Sequence, residues 1–282
     1  MSPIYVPGKV TLAKEFTVQD YMWNFPQQYG LWSPVEITTA LWLDAADAST
    51  ITESGGAVSQ WDDKSGNGRD ISQASSTQRP TLATTGLNGK PTLDFDGSND
   101  YLFNASVGAS GLSNATIISV FKQVTGGPTE DHQINIGQTG TTGKVRGFYR
   151  PGNATVLGFG GWARIATSSF SLDIGGAHHI FGFANTALSG SNNLQIFKDG
   201  SVETLTTSAA LSTTLDGFSV GALQGALVGN YYSNISVAEI IVLYEAISTV
   251  NRQKLEGYLA HKWGLTANLP ADHPYKTVGP TP

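Results

Sequence analysis

The stretch DFDGSNDYL, residues 94–102, sets three aspartates and an asparagine within seven residues, with apolar side chains between and behind them. Two chemistries suit that spacing. Calcium takes about six to eight oxygen ligands. Asp96, Asn99 and Asp100 could supply three of them, with backbone carbonyls adding more. The same residues can instead turn the chain, since Asp96-Gly97 is a turn pair and Asn99 or Asp100 can hydrogen-bond to nearby amides. The turn is the preferred reading, with no cofactor, and Ca2+ is the alternative. Asp62, Asp63 and Asn67 pose the same choice more weakly.

Acid–base chemistry needs paired carboxyls, set roughly 5 Å apart in a retaining glycosidase. Asp94 and Asp96 share one face of a strand, but the second abuts a glycine turn. Glu239 stands alone in VAEIIVL, where it is expected to accept hydrogen bonds from a loop or from a late helix. His178 and His179 are adjacent, so on a strand they face opposite ways and cannot hold one ion together. His261 and His273 lack a visible third ligand. The chain has no cysteine, which excludes disulfides and thiolate zinc sites. GFGGWARI lacks the lysine and the spacing of a phosphate loop. Sugar binding asks for aromatic faces and planar polar groups at a rim. Tyr149, Arg150, Asn153 and Trp162 lie in a turn-rich region that could form one, beside Phe148; Tyr231 and Tyr232 are a further possibility.

The elements that must position these residues are mostly strands. Hydrophobic residues are 40%, charged residues 13%, and glycine is 33 of 282, the composition of many strands joined by many turns. Leu41 and Leu43 alternate with Trp42. Asn88-Gly89 and Asp199-Gly200 suit two-residue hairpin turns. Ile118 and Val120 share one face of a strand, and Ile117, Ser119 and Phe121 the other. VAEIIVLYEA is the longest apolar strand and is expected to be central. One helix stands out near 249–263: Ser248 or Thr249 caps it, Leu255, Tyr258, Leu259 and Trp263 form its apolar stripe, and Gly264 stops it.

Residues 1–38 differ in character from the rest of the chain. They carry four prolines and a run of aromatics that includes Trp23 and Trp32, and they read as a docking arm. The net charge of −6 and the lack of a basic patch argue against nucleic acid. No stretch reaches 18 apolar residues, and the start has no secretory pattern, so no membrane insertion is expected.

Three motifs in order, ALWLDAADASTI, VSQWDDKSGNGRD and RPTLATTGLNGKPTLDFDGSNDYL, resemble the opening of a LamG-like domain of the concanavalin A-like lectin–glucanase superfamily. NLQIFKDGS is similar to its mid-domain hairpin, and ISVAEIIVLYEAISTVNRQKLEGYLAHKWGL to its closing strand and helix in bacterial and phage members. The resemblance implies an all-β jelly-roll sandwich of two antiparallel sheets over 39–282, with one C-terminal helix and an extended N-terminal arm. Glucanases of that superfamily set their acids as Glu-x-Asp-x-Glu on one strand, a pattern this chain lacks. The expectation is therefore a non-enzymatic phage virion protein, a capsid decoration, fibre or tail-associated module at the particle surface. Its arm would dock on other virion proteins, and its domain, displayed in many copies, would meet glycans. A carbohydrate-binding protein without an assembly role is the alternative, and a glycan hydrolase a more distant one.

Overall fold

The computed structural model describes residues 32–108, 111–125, 130–137, 145–152, 154–160, 165–208, 210–211, 216–223 and 231–282. Most of the expected arm, residues 1–31, lies outside them. Its end is packed on the domain: Trp32 is buried edge-on to Tyr258, with ring centroids 6.2 Å apart, and its amide donates to the Pro280 carbonyl at 3.3 Å.

The strands follow in order as β1 (Leu41–Asp44), β2 (Ile51–Ser54), β3 (Ala57–Trp61), β4 (Ile71–Ser72), β5 (Thr81–Leu87) and β6 (Lys90–Asp96). Then come β7 (Leu102–Asn104), β8 (Ala115–Gln123), β9 (Asp131–Gly137), β10 (Val145–Arg150), β11 (Val156–Phe159) and β12 (Ala166–Ser171). The last are β13 (His179–Asn185), β14 (Leu194–Lys198), β15 (Ser201–Leu205), β16 (Gly217–Val220) and β17 (Asn234–Leu243), and helix α1 (Thr249–Trp263) comes after them.

Two hairpins show how local sequence sets register. Asn88 and Gly89 between β5 and β6, and Asp199 and Gly200 between β14 and β15, all take positive φ, the geometry that joins twisted strands in two residues. The first hairpin also ends the helix: Asn88 Nδ2 donates to the Trp263 carbonyl at 2.6 Å, beside Gly264 in the left-handed region. At the other end of α1, Ser248 accepts from the Asn251 amide at 3.2 Å.

β8 and β17 are apolar on both faces because both faces are covered. Ile117, Phe121, Val237, Ile240 and Val242 point into the main core, with Leu41, Leu43, Phe148 and Phe183. Ile118, Val120, Ile241 and Trp42 point the other way, under Leu255, Tyr258, Leu259 and Trp263 of α1. The alternation read from the sequence thus holds at β8, and β17 is central as expected, pairing with β1, β6 and β8.

The two separate sheets of a jelly-roll sandwich do not form. Among the described residues the antiparallel ladder is one continuous 17-stranded sheet. It runs from β15 through β14, β13 and β8 to β17, and turns the corner along β6, β5, β3 and β4. It returns along β7, β16, β9, β10 and β11 to β12. The two ends then meet, since Glu203 of β15 accepts from the Ser169 amide of β12 at 2.7 Å and from its hydroxyl at 3.2 Å. The result is a near-barrel. Alternation of apolar and polar residues is the same in a sandwich and in a barrel, so it does not encode where a ladder stops.

Candidate active site

An open cleft of ≈ 360 Å³ is lined by Phe170, His179, Lys198, Asp199, Ser201 and Asn268. Three elements build it. His179 is the first residue of β13, Asp199 sits in the β14–β15 turn, and Asp173 stands just past the end of β12 at its rim. Pairing of β13 with β14 carries the turn to the start of β13, where Asp199 Oδ1 accepts from the Ile180 amide at 2.9 Å.

The imidazole of His179 is held at both nitrogens. Nδ1 meets Asp199 Oδ2 at 2.5 Å and Nε2 meets Asp173 Oδ2 at 3.2 Å. Burial opposes charge on this ring, but the hydrogen bond and charge of Asp199, with Asp173, outweigh it and raise its pKa. Asp173 is 49% exposed and is held below the usual carboxylate range by its bond to His179 and by the Ala177 amide. It also takes φ 50°, a sparsely populated conformation for a side-chain-bearing residue. The cleft therefore holds a proton on an imidazole, a buried carboxylate that orients it, and a second carboxylate facing water.

His178 lies on the opposite face of the chain, as its neighbour's position requires. Its Nε2 lies 3.2 Å from the Ser236 hydroxyl, and burial, with the charges of Lys122 and His179, pushes its pKa down to about 4.

A second pair of carboxyls resembles a catalytic couple and is sealed. Lys262 Nζ of α1 bridges Asp44 Oδ1 at 2.7 Å and Glu239 Oε2 at 2.8 Å. Burial would raise both groups. At Asp44 the charges of Lys262 and Lys64 win and hold it low, whereas Glu239 stays raised by burial and by Asp44 nearby, despite Lys262. Splitting the pKa values of two acids is how acid–base sites are built. Here Glu239 is 0% exposed and also accepts from Trp42 Nε1 at 2.7 Å, Tyr258 Oη at 3.0 Å and Trp263 Nε1 at 2.6 Å. No sugar reaches it. It fastens α1 to the sheet, the role expected for a lone carboxyl in that strand.

The other sequence candidates lie apart from the cleft. Asp96 Oδ1 accepts from the amides of Ser98 at 2.7 Å, Asn99 at 3.1 Å and Asp100 at 3.4 Å, while Asp100 Oδ2 accepts from the Asp96 amide at 3.1 Å. That is turn geometry. Burial, then the charge of Asp96, pushes Asp100 up to about 6. Asp63 accepts from the Trp42, Ser65 and Arg69 amides, Asn67 donates to the Thr39 and Ala40 carbonyls, and Asp62 accepts from Gln60. Among the described residues no three or more histidine and carboxylate side chains gather as a metal site. Tyr149 and Arg150 are buried in β10 rather than set at an open rim, with Arg150 Nε on Asp131 Oδ2 at 2.7 Å. Asn153 and Trp162 lie outside the described residues. Sequence reasoning missed the joining of His179, Asp199 and Asp173. The HH pair and the Asp-Gly turn were visible, but only strand register puts them together.

No family model and no curated protein matches this chain. Solved structures do match. A Trypanosoma rangeli sialidase in complex with 2,3-difluorosialic acid aligns at TM-score 0.56 and 11% identity, over 86% of this chain and 38% of the sialidase. An arabinofuranosidase complexed with arabinofuranosyl-α-1,2-xylobiose aligns at 0.54 and 12%, over 83% and 60%. The binding domain of Paraclostridial Mosquitocidal Protein 1 aligns at 0.53 and 12%, over 79% and 52%. The fold is similar to those of a sialidase and an arabinofuranosidase. At such identities the likeness is one of fold, and the chain spans about two-fifths of the sialidase's length.

These findings overturn the LamG-like, concanavalin A-like assignment drawn from the motifs. The reading as a non-enzymatic phage virion protein falls with it, as do its virion partners, its multicopy display and its place on a particle surface. These three likenesses are to a sialidase, an arabinofuranosidase and the binding domain of a mosquitocidal protein. Among the described residues, no helix is long and apolar enough to cross a membrane.

Proposed function

We propose that this chain acts in glycan hydrolysis, with the cleft around His179 as its acid–base centre. One observation carries the proposal: an imidazole held between two carboxylates, one buried and one facing water, in an open cleft. Cleavage of a glycosidic bond with inversion needs an acid to protonate the leaving oxygen and a base to activate water. His179, whose pKa its carboxylate partners raise, is the proton donor. Asp199 fixes the ring and its charge. Asp173, ionised and exposed, is the base. At rest Asp173 Oδ2 sits 3.2 Å from His179 Nε2, so the glycosidic oxygen and the attacking water must enter between them and replace that contact, opening the acid–base gap towards the roughly 6.5–9.5 Å of inverting glycosidases. The fold likeness to a sialidase and an arabinofuranosidase supports a glycan as the substrate.

The test is release of aryl leaving groups from sialosides and arabinofuranosides by the purified chain. His179→Ala and Asp173→Asn should each lower the rate by about 10²-fold or more, the usual worth of a general acid or base. A wild-type chain that cleaves neither substrate class, or variants that cleave as fast, would end the proposal. A second reading has its own support in the likeness to a mosquitocidal protein's binding domain. There the cleft holds a glycan and the bond is broken elsewhere in a longer protein. Saturable glycan binding without turnover, lost in Asp199→Ala, is its signature.

A further inference from the structure

Beyond α1 the chain turns back at Gly264, in the left-handed region, and returns as a strap to the β14–β15 turn. The strap is tied down along its length. A turn of 3-10 helix, Thr266–Asn268, opens it, and Lys276 Nζ donates to the Ala267 carbonyl at 2.8 Å and the Leu269 carbonyl at 2.5 Å. Leu269 is buried with the apolar stripe of α1. Tyr275 packs where the helix has no side chain: a Cβ on Gly257 would stand 2.4 Å from Tyr275 Cβ.

The middle of the strap is fixed by a buried polar chain. His273 Nε2 meets Glu256 Oε2 at 3.2 Å, and its Nδ1 accepts from the Tyr275 amide at 3.2 Å. A nitrogen that accepts leaves the ring proton on the other, so Nε2 donates to the carboxylate. Both Glu256 oxygens also accept from Arg252 Nη1 at 2.6 Å, and all three residues are buried. The Arg252 guanidinium lies 5.2 Å from the centre of the Phe197 ring in β14. A satisfied buried network of this kind holds its members rigidly.

What the strap presses on is the turn that carries Asp199. Gly200 takes φ 86°, and a Cβ there would lie 2.9 Å from Pro270 Cδ and 3.0 Å from His273 Cδ2. Turn and strap therefore touch with no room for a methyl group between them. On its other side the same turn is fastened to β13, where the Asp199 amide donates to the Ile180 carbonyl at 2.8 Å and Asp199 Oδ1 accepts from the Ile180 amide at 2.9 Å. Asp199 is thus held between a strand and the strap, and its second oxygen is left for His179 at 2.5 Å. A hydrogen bond that short tolerates little movement of the turn. Asn268 brings the strap into the wall of the cleft itself.

We propose that Pro270 and His273 are positioning residues for the His179 cleft: through Gly200 they set where Asp199 stands, and Asp199 sets the imidazole. The use of this brace in acid–base catalysis rests on the proposed glycan hydrolysis, whereas the brace itself does not. It acts by shape rather than by charge. The charged groups that face the ring are Asp199, Asp173 and Lys198, and the strap adds the neutral Asn268 to the cleft. His273 keeps both ring nitrogens on Glu256 and Tyr275, turned away from the cleft's own hydrogen bonds. Without the brace the turn can drift, and the bond from Asp199 to His179 lengthens.

Proton NMR of the full chain reads the titration of the His179 ring, assigned by the signal lost in His179→Ala. His273→Ala removes the larger part of the brace, and its His179 pKa should fall by at least about 0.5 toward the ordinary 6.5. Pro270→Ala, a milder change, should move it the same way and gives the reading if His273→Ala fails to fold. Ile71→Ala, in the main core at β4, should lower Tm and leave the titration where it is. A merely structural strap would give the opposite pattern. A His179 titration unchanged in the strap variants, or moved as far by Ile71→Ala, overturns the proposal. A shifted titration in a chain that releases no sugar would end the proposed function and leave the positioning role standing.

Discussion

Replacing Glu239 with glutamine probes the joint between helix and sheet with almost no change of shape. The carboxylate accepts four hydrogen bonds, two at each oxygen: Trp42 Nε1 and Tyr258 Oη at one, Trp263 Nε1 and Lys262 Nζ at the other. An amide keeps one acceptor and turns the other into a donor. If the NH2 faces Trp263 and Lys262, two donors and a cation lose their acceptor. If it faces Trp42 and Tyr258, the hydroxyl can rotate but the indole cannot. The milder arrangement leaves one buried indole unpaired, worth about 1–3 kcal/mol. It also strips Lys262 of one of its two anions, and breaking a buried pair by removing one partner costs about 3–5 kcal/mol. Asp44 remains beside Lys262 and offsets part of this. A net loss of about 3–5 kcal/mol is expected, near 10 °C in Tm for a domain of this size. Urea unfolding measures it. The double variant Glu239→Gln, Lys262→Met should recover part of the loss, because the unpaired charge is gone. A single-variant loss under about 1 kcal/mol, or a double variant less stable than the sum of its singles, would refute the account of the joint.

Leu255→Ala should cost about 2–5 kcal/mol, since the side chain is 0% exposed beneath α1; chemical denaturation showing under about 1 kcal/mol would mean the helix is not clamped. His179 has a raised pKa in the folded state, so its contribution is fully present below its unfolded pKa near 6.5 and is lost as pH rises through the folded value. The Tm gap between wild type and Asp199→Asn should therefore shrink from pH 5.5 to pH 9, and a constant gap would contradict the pairing. Asp100 is a raised acid, up to about 6 from 3.8, so the folded state gives up stability as pH climbs from about 4 to about 6. Asp100→Asn keeps an acceptor for the Asp96 amide and removes that dependence. Its stability relative to wild type should rise across the window, and a flat difference would show that the carboxyl titrates normally.

Local signals survived from sequence to structure. The Asn-Gly and Asp-Gly hairpins, the opposed faces of Ile117 and Ile118, the caps of α1 at Ser248 and Gly264, and the tie between Glu239 and the helix all arise from neighbours within a few residues or from one buried charge in an apolar strand. What could not be read depends on partners far apart. Whether β6 continues one sheet into the other face of the domain is decided by pairing with Asn234–Val237, over a hundred residues away, and alternation carries no trace of that choice. The motif resemblance supplied a sandwich and a virion setting that the continuous ladder and the fold likenesses did not bear out. In the cleft, Asp173 and Asp199 look like turn residues, which they are. Only the register of β13 on β14 turns them toward one imidazole.

Pairing of β1 with β17 has a consequence for how the molecule is made. Leu41 lies opposite Val242, and Asp44 opposite Glu239, so about two-thirds of the chain separates the two partners of one ladder. β17 also supplies the strand between β6 and β8. During synthesis, then, β6 and β8 emerge with their shared neighbour still missing, and their edges stay open until β17 is made, more than a hundred residues later. Non-local pairing of this kind slows folding and leaves strand edges available to other chains. Charged and polar residues at those edges, Lys90, Asp94 and Lys122 among them, stand where such a nascent chain would need protection from its neighbours on the same message.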